Sequence, residues 1–153
     1  MFPKFLRPTR PPFSLESLPK IGSGVEKELK ELSPRILIVL IGVNDLRWGV
    51  SVARFVDDYK KFIESFRPQC RVMVQSIIPV RNPEPWPGVN QRILEANQVI
   101  EGWCRETGVD FVNISSRLAP EGFILEQYSS DGVHLSGEGI KAWVSLIRQA
   151  LEQ

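Results

Sequence analysis

The stretch Asp131-Gly132-Val133-His134 sets a carboxylate three residues before the only histidine of the chain. A carboxylate at that reach can accept the Nδ1–H of the ring, fix its tautomer and stabilise the imidazolium. Nε2 is then free to act as a general base. The same residues also suit a surface histidine whose neighbour caps or turns the backbone, and spacing does not choose between the two. A second candidate is Gly42-Val43-Asn44-Asp45, directly after the apolar run Ile36 to Ile41. Gly42 permits a sharp turn or a close backbone approach. The Asn44 amide is a neutral donor suited to an oxyanion. In a plain turn, Asn44 and Asp45 would instead bond their own backbone, and spacing alone favours the turn.

These groups need elements to hold them. The run at 36–41 is apolar on both faces, as a central parallel strand is when helices cover both sides. "RVMVQSII" at 71–78 and "VDFVNI" at 109–114 read as two further strands. Between them, 51–67 is the clearest helix: Val52, Phe55, Val56, Tyr59, Phe62, Ile63 and Phe66 recur at helical spacing, Ser51 caps it and Pro68 ends it. Residues 90–107 form another, with Ile93, Ala96, Ile100, Trp103 and Cys104 inward. Asn97 shares that face, where a buried amide needs hydrogen-bond partners. The last helix, from about Ser136, places Ile140, Trp143, Val144, Ile147 and Leu151 together. A helix over "SGVEKELKELSP", capped by Ser23 and stopped by Pro34, precedes the first strand.

Alternating strands and helices predict an α/β three-layer sandwich around a parallel sheet. In such sheets ligands bind beyond the carboxyl ends of the strands. The segments there are 42–50, 79–89 and 115–135, which bring Asn44, Trp86 and the Asp131–His134 pair to one rim. Asn44 and His134 are therefore expected on the same side.

The bulk composition sets limits. At 153 residues the chain is one domain in size. A net charge of +1 gives no case for nucleic acid or an acidic membrane face. Lys4, Arg7 and Arg10 read as a solvated tail over an irregular, proline-broken segment 1–12, with the domain proper at 13–153. No apolar run approaches the length of a membrane span, and the N-terminus lacks the apolar core of a secretory signal. Cys70 and Cys104 show no metal-binding spacing and fit reduced thiols in a cytoplasmic chain. No metal or cofactor is expected.

"IGVNDL" and "DGVHLS", in that order and at the two ends of a flavodoxin-like chain, resemble two conserved blocks of the SGNH (GDSL-type) hydrolase family. "VMVQSIIPV" and "NQRILEANQVIEGWCRETGVDFVNI" resemble its middle region, so the likeness covers roughly residues 13–152. The resemblance implies hydrolysis of a small-molecule ester through a Ser–His–Asp triad, with no cofactor. It makes His134 the base and Asp131 its orienting partner. Asn44 becomes the asparagine of the oxyanion hole, and Gly42 the glycine of that turn.

The chain departs from the family pattern at the nucleophile. The family's serine belongs to a Gly-Asp-Ser after a first strand, and no Gly-Asp-Ser occurs here. No strand-like run precedes residue 13, and "FSLESLPKI" resembles the helix that follows the family's second block. Ser14 and Ser17 fall in that helix, and Ser23 has no strand before it. Ser115, Ser116, Ser129 and Ser130 precede Asp131 in the last loop, without a spacing that marks a nucleophile. The nucleophile is therefore unassigned, and an N-terminally incomplete SGNH fold is expected. Two functions follow: an esterase whose serine comes from a longer chain or a partner, or a non-catalytic binding module. An incomplete sheet with an open edge also leads to expected homodimerisation or aggregation, unless residues 1–12 fold over the gap.

Overall fold

The computed structural model describes residues 25–152. The elements in chain order are α1 (Val25–Leu32), β1 (Ile36–Val39), α2 (Val43–Arg47), α3 (Val52–Phe66), β2 (Arg71–Gln75), α4 (Val89–Thr107), β3 (Asp110–Val112), α5 (Ser115–Leu118) and α6 (Gly137–Leu151), with a single 3₁₀ turn at Glu126–Tyr128. The three described strands form one parallel sheet in the order β1-β2-β3. The tail 1–12, the segment "FSLESLPKI" and the Ser23 cap lie outside the described residues.

Helices cover both faces, giving the expected three-layer α/β sandwich. Along β1, Leu37 and Val39 point to the face covered by α3 and α4, and both are buried. Helix α3 forms because its apolar residues share one face and Ser51 Oγ accepts the Arg54 N–H at its start. Phe55, Tyr59 and Phe62 are buried, each phenylalanine contributing roughly 1.5–3 kcal/mol by leaving water. Helix α4 is pinned to the exit of β2 by Asn97. Its Oδ1 accepts the Ile77 N–H at 2.7 Å and its Nδ2 donates to the Ile77 carbonyl at 2.8 Å. Asn97 thus replaces a strand partner for a backbone that has left the sheet.

The opposite face carries α6 and α5. Leu40, Ile78 and Val112 pack there with Trp143 and Leu146. Trp143 Nε1 donates to Gln75 Oε1, which places α6 over β2 and β3. It does not cover β1: Ile36 and Ile38 are about 40% exposed (40% and 38%), and Ile140 of α6 is 49% exposed. The outer edge of β1 has no pairing strand among the described residues.

Several boundaries differ from the expected ones. The strands end at Val39, Gln75 and Val112, short of 41, 78 and 114, because apolarity continues past the last ladder bond. Leu40 and Ile78 are apolar through packing on the second cluster. The segment after Gly42 is a short helix, α2, rather than a turn. The long loop at 115–135 contains α5 and the 3₁₀ turn. Ile140, in the first turn of α6, does not share the burial of Ile147.

Candidate active site

Three parallel strands deliver their following segments to one rim. The segment after β1 carries Asn44, the one after β2 carries Arg81 and Trp86, and the one after β3 carries Asp131 and His134. Asn44 and His134 therefore stand at the same end of the sheet.

The Asp131–His134 pair is built by its own loop. Asp131 Oδ1 accepts the backbone N–H of His134 at 2.8 Å and of Val133 at 2.9 Å. Asp131 Oδ2 is then left for His134 Nδ1, at 2.6 Å. The Ser129 hydroxyl, fully buried, takes the Gly132 N–H at 2.9 Å and donates to Asp131 Oδ1. Gly132, at φ 81°, makes the turn between carboxylate and ring. Arg81 ties the loop to the exit of β2: Nη1 and Nη2 donate to the carbonyls of Ser129 and Ser130, and its backbone N–H to that of Gly132. The bond from the His134 ring, aided by the backbone N–H groups of His134 and Val133, holds the Asp131 carboxyl well below the usual carboxylate range. The His134 side chain is 78% exposed, and Nε2 has no hydrogen-bond partner among the described residues.

The Asn44 side is set by Gly42. At φ 117° only glycine is at ease, and a Cβ there would run into the Phe55 ring and lie 2.9 Å from Ile77 Cδ1. The chain thus turns tightly against α3 before α2 begins. Buried Leu46 anchors α2, and Arg92 of α4 grips its end, with Nε and Nη2 both donating to the Leu46 carbonyl. Asn44 is left exposed at the rim, with its Oδ1 accepting from Arg47 Nη1 at 3.1 Å. The Arg47 guanidinium lies over the Trp86 ring, 3.8 Å from its centroid.

Of the described candidate serines, Ser130 is exposed with no side-chain hydrogen bond among the described residues, and the other three are engaged elsewhere. Ser115 Oγ donates to the Ile77 carbonyl and meets Ser76 Oγ at 2.9 Å. Ser116 Oγ donates to the Asn113 carbonyl, and Ser129 serves the Asp131 turn. Among the described residues, none is bonded to the His134 ring. Ser14, Ser17 and Ser23 lie outside those residues. Cys70 and Cys104 are free, and burial pushes the Cys104 thiol up to about 11 and raises that of Cys70. Such thiols are poor nucleophiles near neutrality. Among the described residues, no group of three or more His, Cys, Asp or Glu side chains comes together, and no helix is long and apolar enough to cross a membrane.

Asn44, Asp131 and His134 were expected at one rim from their segments, whereas the contacts of Arg47 and Arg81 and the turn-closing role of Ser129 were not. For Arg47 a signal existed, since it follows Asn44 by three residues and shares a helical turn with it. The Arg81 contacts cross 48 and 49 residues of chain and leave no periodic trace.

Residues 15–142 match the model of the GDSL-like Lipase/Acylhydrolase family. No curated protein sequence matches the chain. Among solved structures, a GDSL-like lipase from Bacteroides thetaiotaomicron is 25% identical with a TM-score of 0.75, over 83% of this chain and 66% of that one. The lipase/acylhydrolase from Enterococcus faecalis is 18% identical with a TM-score of 0.69, over 82% and 65%. The OSK domain of Drosophila Oskar is 18% identical with a TM-score of 0.65, over 77% and 62%. The chain thus spans about two thirds of the length of these relatives. With a match over most of its length and the same sheet-and-helix architecture, this chain belongs to the GDSL-like lipase/acylhydrolase family.

Proposed function

We propose that this chain is the base-bearing part of a serine ester hydrolase acting on a small-molecule ester. The observation that supports it most is the Asp131–His134 pair, at 2.6 Å, at the same rim as Asn44. His134 Nε2 takes the proton of a serine hydroxyl as its oxygen attacks the ester carbonyl, and Asp131 stabilises the resulting imidazolium. Asn44, held out by the Gly42 turn, donates from Nδ2 to the oxyanion of the tetrahedral intermediate. His134 returns the proton to the leaving alcohol, and water then releases the acyl group by the same steps reversed.

The serine comes from a longer chain or from a partner. The edge of β1 that lacks a pairing strand among the described residues suits a strand that would pair there and end at the rim beside Asn44. The same edge, with Ile36 and Ile38 exposed next to it, also favours homodimerisation. A second reading, a non-catalytic binding module, is favoured by the engagement of Ser115, Ser116 and Ser129 away from the His134 ring.

The test uses a fluorophosphonate probe and short p-nitrophenyl esters. The chain alone should hydrolyse these at no more than a trace rate and take up no probe, and His134→Ala should change this little. Co-expression with a polypeptide carrying an apolar strand that ends in Gly-Asp-Ser should produce labelling of that serine, abolished by His134→Ala. Stable association of the two polypeptides without labelling would reject the hydrolase in favour of the binding module. Rapid labelling of a serine in the chain alone would reject the proposed source of the nucleophile.

A further inference from the structure

We propose that Arg47 is a positioning residue that sets the Asn44 amide for oxyanion binding, with Trp86 as the platform that holds it in place. This rests on the hydrolase reading for the role of Asn44, but not for the geometry. Arginine has donors and no acceptor. The Arg47 Nη1 contact, 3.1 Å from the Asn44 side-chain oxygen, therefore requires the carbonyl end of the amide to face Arg47. The NH₂ end must then face the other way. Without such a neighbour, an exposed asparagine at the end of a short helix would sample both orientations and several rotamers.

The arginine itself is confined. Its guanidinium lies 3.8 Å from the centre of the Trp86 ring, close enough for a strong cation–π contact. Its Nε is buried without a hydrogen-bond partner, and among the described residues the side chain forms no ion pair. Burial lowers its proton affinity, which the charge of Asp131 partly offsets. A guanidinium that only decorated the surface would swing out and hydrate that Nε. Here the desolvation is accepted in a position that leaves one directed bond, and that bond goes to Asn44. The cation also polarises the amide through its oxygen, strengthening Nδ2–H as a donor. Trp86 comes from the segment after β2 and Arg47 from the segment after β1, so the contact couples two walls of the rim.

The experiment follows the Asn44 side-chain amide by ¹⁵N relaxation in the full 153-residue chain. Arg47→Met keeps an apolar stem over Trp86 but removes the donor. Trp86→Phe keeps an aromatic face, and Trp86→Ala removes it. The wild-type Asn44 NH₂ should be as rigid as the α2 backbone. Arg47→Met and Trp86→Ala should make it mobile and move its resonances toward those of solvated asparagines, while Trp86→Phe retains the rigidity. Unchanged core methyl resonances establish that each variant is folded. An amide already mobile in the wild type, or equally rigid in Arg47→Met, overturns the inference.

The kinetic arm uses the serine-bearing complex described above. There Arg47→Met should lower kcat about tenfold or more with KM little changed, the pattern of a lost transition-state interaction. An unaltered kcat overturns the catalytic part of the inference. Absence of hydrolysis by the wild-type complex would defeat the hydrolase reading, and the amide relaxation would still decide the positioning.

Discussion

Asp131 shows how one side chain can organise a site. One oxygen closes the turn through two backbone N–H groups, and the other holds the His134 ring. Its carboxyl therefore titrates lower in the folded chain than the value near 3.9 of an unfolded one. A lowered folded value contributes stability that is fully present above the unfolded pKa and is lost as pH falls through the folded one. The wild type should thus exceed Asp131→Asn in urea midpoint at pH 5–7, and the gap should close progressively below about pH 4. A gap that stays constant down to pH 2.5 would show that the charge of Asp131 does not stabilise the fold. The three-residue spacing to His134 was legible in the sequence. The support from Ser129 and Arg81 was not, because those contacts depend on where β2 and β3 end in space.

At the scale of elements, the approach of α3 to the end of β1 decides where Asn44 stands. Phe55 and Tyr59 were readable as buried from their helical spacing, and both are. That the Phe55 ring fills the space where a Gly42 side chain would be was not readable, since it depends on the angle between strand and helix. Gly42→Ala should cost about 2–5 kcal/mol, combining a backbone strained at positive φ with an overpacked contact. Phe55→Leu added to Gly42→Ala should recover part of the loss, because it relieves the contact but not the backbone. Chemical unfolding of the two single variants and the double variant measures this. Strict additivity would show that the two sites do not interact.

The whole molecule presents an apolar strand at the limit of its described sheet. Ile36 and Ile38 are exposed on β1, and α6 carries the exposed Ile140 on the same side of the sheet. Such a strand is a template for pairing. Light scattering should report a mass that rises with concentration toward a dimer or larger species, and Ile38→Lys should shift it toward the monomer. A monomer at every concentration, unaffected by Ile38→Lys, would contradict association through this edge. Ile140 lies exposed on the α6 face that helical spacing gave it, for a related reason. Helical spacing reports which residues share a face, whereas the position of the helix over the sheet decides which of them are covered.

The main strands and long helices, the parallel sheet, the two site segments and the family likeness were legible in the residues alone. Each of these is carried by local periodicity, by turn residues or by short motifs. The partners around the site come from contacts between distant parts of the chain. The Arg47–Trp86 stack, the Arg81 braces and the Arg92 grip on α2 join residues from different segments of the rim. Their donors and rings meet only once the sheet sets the spacing of those segments. Tertiary structure also decided where the strands stop, because a ladder ends with its last hydrogen-bond partner while apolar residues continue wherever a second core receives them.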